Sequence, residues 1–202
     1  MISNSLAAIA VGLELGADIK DIAQALVTFP GVARRCEVIA NTNGILVLDD
    51  YGHHPTEIQA TLLGINKSWK NSLNLENLKQ GLVTTDSEKG RLIVLFQPHR
   101  YSRTRDLFSE FITCFNEADM VIITEIYAAS EPEIPGITGE KLARALQHGC
   151  VQYVSRVEDL APKVLSLVKP NDIVVSMGAG NIWKASRDVA KSLAGVSNAA
   201  IV

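Results

Sequence analysis

Gly44-Ile45-Leu46-Val47-Leu48-Asp49-Asp50-Tyr51-Gly52-His53-His54-Pro55 runs from an unbroken apolar stretch into a cluster of carboxylates, a phenol and two imidazoles, then into a proline. The apolar part is rich in β-branched residues and reads as a strand buried on both faces. Thr56 to Leu63 reads as a helix with Pro55 at its start, where a missing N–H costs nothing. A doubly buried strand that feeds a helix is the opening of a parallel α/β unit. In such sheets ligands bind at the carboxyl edge of the strands, which is where the carboxylates and imidazoles fall.

The same alternation continues outward. Strands are expected at Leu92–Phe96, Met120–Glu125, Val151–Val154 and Asp172–Ser176, with helices at Thr104–Asn116, Gly139–His148, Val157–Val168 and Asn181–Leu193. The helix after Pro55 fades near Lys67, and residues 68–90 read as a polar surface insertion, partly helical or mobile. Upstream, Arg35–Ala40 reads as a short strand joined by the turn Asn41-Thr42-Asn43-Gly44, which adds an antiparallel edge. These elements predict an α/β fold: a Rossmann-like, doubly wound, mostly parallel sheet with helices on both faces. It is preceded by a short helical hairpin, Ile2–Leu15 and Ile19–Phe29, stopped by Gly16, capped by Asp18 and ended by Pro30-Gly31. Met1 lies inside the first helical pattern with no capping residue ahead of it. Residues 1–30 are therefore expected to be the remnant of a preceding domain, and 31–202 the α/β domain.

Composition narrows the function classes. The 202 residues are 47% hydrophobic and 20% charged, as in an ordinary globular chain. A net charge of -3 supplies no overall field for nucleic acid or an anionic membrane, so an anion site must be a local basic cluster. Cys36, Cys114 and Cys150 are odd in number and lack CxxC spacing, which fits reduced core thiols in a cytoplasmic protein. No apolar run approaches the roughly 20 residues that span a bilayer.

Four turns follow the parallel strands and share one edge. The first carries Asp50, Tyr51 and His53. The second, Gln97-Pro98-His99-Arg100-Tyr101-Ser102-Arg103-Thr104-Arg105, sets arginines at an expected helix start, an arrangement suited to a carboxylate or phosphate. The third, Tyr127–Thr138, is long enough to act as a flap, and the fourth, Gly178-Ala179-Gly180-Asn181, more often marks close packing than a site. Taken singly, each residue has a structural reading: Asp49 and Asp50 as helix caps, His53 and His54 as turn packing, Arg100, Arg103 and Arg105 as a solvated helix start. Their coincidence on one edge favours a site. A metal held by Asp50, His53, His54 and His99 is a weaker alternative, because the arginines would repel a cation.

Read together, the Asp49–Glu57, Gln97–Arg105 and Gly178–Ile182 motifs resemble the Mur ligases, with Asn4-Ser5-Leu6-Ala7-Ala8 and Gly31-Val32-Ala33-Arg34-Arg35 fitting at the family's spacing. Within the family, Gln97-Pro98-His99-Arg100-Tyr101-Ser102-Arg103 is similar to the branch that joins L-alanine to UDP-N-acetylmuramate, rather than to the branch that recycles murein tripeptide. The resemblance implies three domains, of which this chain holds the last helices of the central ATPase domain and the carboxyl-terminal domain. A Gly-x-x-Gly-Lys-Thr type loop is nowhere in the sequence, so the chain alone is not expected to catalyse.

By the same resemblance, ATP and Mg2+ are the cofactors, the magnesium held mainly by the missing central domain. Asn4 is assigned to the adenine side, Arg35 to the phosphates, and Asp50 to the ribose or its neighbourhood. Tyr51, His53, Arg100 and Arg103 form the alanine pocket, the arginines on its carboxylate. Arg35 and His53 are the catalytic candidates, and His53 is left as either base or orienting group. A stand-alone Rossmann-like module binding a nucleotide or amino acid is the reading from a different functional class.

Overall fold

The computed structural model describes residues 2–80 and 90–199. By packing, the chain divides into a unit of residues 1–32 and a unit of residues 33–202. The first holds α1 (Ile2–Glu14) and α2 (Ile19–Thr28), with the Asp18 carboxylate accepting from the Lys20 N–H at 2.7 Å as the expected cap. None of the residues of α2 is fully buried, since two short helices offer each other too little surface.

In the second unit a six-stranded sheet runs in the order β1-β2-β6-β3-β4-β5. Its strands are β1 (Glu37–Thr42), β2 (Ile45–Asp50), β3 (Leu92–Phe96), β4 (Met120–Ile123), β5 (Val151–Tyr153) and β6 (Ile173–Met177). Only β1 is antiparallel; β2, β6, β3, β4 and β5 run parallel. Every residue of β3, β4 and β6 is buried, which is why these strands read as continuous apolar runs. Alternation of side chains divides them between two cores. Val94, Phe96, Val121 and Val175 pack with Ile58, Leu62, Phe111 and Leu142 on one face. On the other face Ile93, Leu95, Ile122 and Val174 pack with Leu160, Val164, Ile182 and Val189.

The helices of this unit are α3 (Pro55–Gln80), α4 (Tyr101–Asp106), α5 (Phe108–Phe111), α6 (Gly139–Ala145), α7 (Leu160–Leu165) and α8 (Trp183–Ala199). Two expectations are corrected. The helix after Pro55 does not fade at Lys67 but continues to Gln80, carried by strong helix formers such as Leu, Glu, Lys and Gln in a stretch without a clear apolar period. Residues 81–89 of the expected insertion lie outside the described residues. The helix expected from Thr104 to Asn116 starts earlier, at Tyr101, and breaks at Leu107, whose N–H is shared by the Arg103 and Arg105 carbonyls.

Candidate functional site

The turns after β2, β3, β4 and β6 meet at the carboxyl edge of the sheet, and the two carboxylates that end β2 build the ground beneath them. Asp49 is fully buried; it accepts from Ser176 Oγ at 2.5 Å and from Arg34 Nε at 3.0 Å. Arg34 goes on to donate from Nη2 to the Gly178 carbonyl at 2.6 Å and from Nη1 to that of Gly180 at 3.4 Å. One guanidinium thus joins the β2 turn to the β6 turn, with its Cζ 5.0 Å from the Tyr51 ring centre. Arg34 holds φ at 59°, a strained value for a non-glycine residue, and these bonds sustain it. Asp50 accepts the N–H of Cys36, which is exposed and not the core thiol expected, at 2.9 Å and the Gly52 N–H at 2.7 Å, which fixes the turn that presents Tyr51 and His53.

Neither aspartate caps α3. That task falls to Glu57, whose carboxylate accepts the His53 and His54 N–H groups at 3.0 and 3.2 Å from the third helical position, one half of a capping box. Burial works against ionising Glu57, but the two N–H bonds prevail and hold it below the usual carboxylate range.

On this base stands a row of four rings. Tyr51 meets His53 edge-on at 5.4 Å, His53 lies 5.8 Å from His99, and His99 stacks on Tyr127 at 5.5 Å with only 9° between the planes. Cations flank the row. Arg35 is exposed, its Cζ 5.7 Å from the Tyr51 ring centre. Arg103 Nη1 donates to His99 Nδ1 and to the His99 carbonyl, both at 3.1 Å. Arg100, at φ 74°, donates its N–H to the Tyr127 carbonyl at 2.9 Å, and its half-exposed guanidinium lies 3.7 Å from Glu131. Burial, then the positive charge of Arg103, pushes the His99 imidazole down to about 4, so it is neutral at pH 7.

The structure therefore brings Tyr51, His53, Arg100 and Arg103 to one edge and places Arg35 at the Tyr51 end of the row. Asp50 lies below, buried, its oxygens used on the turn. Asn4 belongs to the first unit, where it lines a mostly apolar hollow of about 300 Å3 with Ser5, Ala8, Leu26, Phe29 and Val32. The helix amino terminus expected to grip an anion holds one of the chain's own carboxylates. α4 is a single short turn and a half, and the Ser102 N–H and hydroxyl are already taken by Glu131 at 3.0 and 2.7 Å. The Gly178–Gly180 turn is a packing device: a Cβ on Gly180 would strike Gln97 Oε1 and come within 2.7 Å of the Tyr127 ring. Among the described residues no three His, Cys, Asp or Glu side chains gather as metal ligands. Sequence reasoning passed over Arg34 for its neighbour and gave no role to Tyr127; an Arg-Arg pair shows the charge but not which member turns inward.

Residues 34–180 match the family described as Mur ligase, glutamate ligase domain. The chain belongs to the Mur ligase family. The matched stretch opens at Arg34 and closes at Gly180, two residues that hydrogen-bond each other across the site. Curated relatives named UDP-N-acetylmuramate–L-alanine ligase include one from Trichlorobacter lovleyi, 45% identical over 94% of this chain and 38% of that protein. Another, from Geobacter sulfurreducens, is 45% identical over 90% of this chain and 36% of that protein. The chain thus spans less than two fifths of the relatives it matches. Among solved structures, a murein peptide ligase from Psychrobacter arcticus superposes with TM-score 0.60 at 25% identity, covering 95% of this chain and 36% of that one. MurF ligase from Thermotoga maritima, in complex with ADP, shares the fold at TM-score 0.56 and 18% identity, covering 93% of this chain and 37% of that one. The mostly parallel α/β sheet with helices on both faces is thus the fold of Mur ligase carboxyl-terminal domains.

Proposed function

We propose that this chain is the carboxyl-terminal part of a cytoplasmic UDP-N-acetylmuramate–L-alanine ligase, and that the ring row with Arg100 and Arg103 is its L-alanine pocket. The observation that carries the reading is that Arg103 is bonded to the imidazole and carbonyl of His99 and not to a carboxylate, which leaves that guanidinium its full charge for a ligand carboxylate. Relatives bearing the alanine ligase name reach 45% identity, against 25% for the murein peptide ligase, which favours alanine over the tripeptide.

In the full reaction the muramyl carboxylate takes the γ-phosphoryl group of ATP, giving an acyl phosphate and ADP. The amine of alanine then attacks the acyl carbon, and inorganic phosphate leaves as the amide forms. The residues of this chain would orient the amino acid: Arg100 and Arg103 hold its carboxylate, while Tyr51 and His53 wall the amine side. His53 Nδ1 faces the Tyr51 carbonyl at 3.1 Å, so that nitrogen is the one directed into the turn and Nε2 is the one available to the amine. Arg35, exposed and cationic, suits the phosphates of ATP, and the apolar hollow with its single amide at Asn4 suits a purine base. Asp50 would serve the ribose side by holding the turn. Magnesium would be held elsewhere in the ligase.

Grafting this chain in place of the matched segment of the Trichlorobacter lovleyi relative tests the reading. ADP release from ATP and UDP-N-acetylmuramate should then depend on L-alanine, while the chain by itself should be silent. A folded graft that saturates with another amino acid and ignores alanine would refute it.

A further inference from the structure

We propose that His99 is a positioning residue for the amino-acid carboxylate: its ring, clamped against Tyr127, accepts a hydrogen bond from Arg103 at Nδ1 and so aims the rest of that guanidinium into the pocket. The inference rests on the alanine-pocket reading above and adds to it a residue that touches the ligand only through Arg103.

Three contacts fix the ring. Tyr127 stacks on one face at 5.5 Å and 9°. The two residues are also paired through backbone as an isolated parallel bridge, so ring and main chain are held by the same neighbour. Arg103 Nη1 then reaches both Nδ1 and the carbonyl of His99 at 3.1 Å, a two-point grip that takes up Nη1 and leaves the other nitrogens to point elsewhere. An N–H donor requires Nδ1 to be bare, which places the ring proton on Nε2.

The charged and titratable groups facing His99 are Arg103 and Arg100 from its own turn, His53 from the β2 turn, and Glu131 and the Tyr127 phenol from the loop after β4. Three of them are basic. A second proton on His99 would replace the acceptor with a donor aimed at a guanidinium, and the grip would open. Gly180 closes the arrangement from behind, because anything larger would displace the Tyr127 ring on which His99 rests.

Two measurements test this. In the 202-residue chain, the 15N shifts of His99 should report a bare Nδ1 and a protonated Nε2 at pH 7, with the ring neutral to well below its ordinary titration. A proton on Nδ1 at pH 7, or titration near 6.5, overturns the proposal. In the grafted ligase, His99→Phe keeps a ring against Tyr127 but loses the acceptor, and should raise KM for alanine about tenfold with KM for ATP unchanged. His99→Asn, whose amide oxygen stands where Nδ1 stood, should restore most of that loss. If His99→Asn stays as weak as His99→Phe, an acceptor at that place is not what sets KM for alanine, and the proposal is overturned. Arg103→Ala separates the two levels. If it leaves KM for alanine unchanged, the pocket reading falls and this inference with it; if it raises KM while His99→Phe does not, only the role of His99 falls.

Discussion

Arginines stand at both ends of the parallel sheet, and Arg91 at one end is used in the opposite way to Arg103 at the other. At the amino edge Arg91 meets Asp172, almost wholly buried, which accepts from Arg91 Nε at 3.2 Å and Nη2 at 2.6 Å and from the Arg91 and Lys169 N–H groups at 2.8 and 2.9 Å. The remaining reach of Arg91 ends on the Leu167 carbonyl at 2.6 Å. That charge is cancelled in place, and the arrangement splices the starts of β3 and β6. At the carboxyl edge Arg103 meets a neutral imidazole and a carbonyl, and Arg100 a carboxylate at 3.7 Å. A guanidinium bonded to neutral acceptors is positioned without being neutralised. The comparison separates an arginine that holds the fold from one that is held by it.

The sharpest way to break the contrast is Asp172→Ala. It leaves Arg91 uncompensated beside a buried edge, and should cost about 3 kcal/mol, lowering Tm by roughly 6–12 °C in thermal unfolding. Arg103→Ala should do the reverse. It is expected to raise KM for alanine about 10- to 100-fold in the grafted ligase, the loss of a charge-assisted contact, with Tm nearly unchanged. An equal loss of Tm at both positions would erase the distinction.

Gly180→Ala probes the backing of the site. A Cβ there runs into Gln97 Oε1 and the Tyr127 ring, so about 1–2 kcal/mol should be lost in denaturant melts, with a rise in KM for alanine from the displaced ring row. A last effect is in pH. Because His99 is held down to about 4 in the folded chain against an ordinary value near 6.5, the unfolded chain binds the extra proton first. Stability should be full above pH 6.5 and decline as pH falls from 6.5 toward 4, and His99→Phe should flatten that decline.

Much of the site lay open in the sequence because its parts sit in short contiguous motifs. Asp49 to His54 and Gln97 to Arg105 each follow a strand that is apolar on both faces, and parallel strands bring their following turns to one edge. That geometry sets the two turns side by side, and it is the family resemblance that picks out Tyr51, His53, Arg100 and Arg103 within them. The helix limits were harder to read. α3 persists to Gln80 through a run of strong helix formers, where period gives no signal, and α4 begins at Tyr101, where Glu131, 29 residues on, takes the Ser102 N–H.

What the sequence determined by itself was the order of strands and helices, the polar edge and the family likeness, since these depend on hydrophobic period and on local motifs. What only tertiary structure decided was the use of each charge. Arg34 and Arg35 are neighbours of the same chemistry, yet Arg34 is drawn in by Asp49 and the carbonyls of Gly178 and Gly180, while Arg35 stays outside. Asp49 and Asp50 likewise support the turn instead of meeting solvent. The reason is physical: a buried charge is tolerated only where partners converge on it, and those partners come from residues up to 146 positions away in the chain.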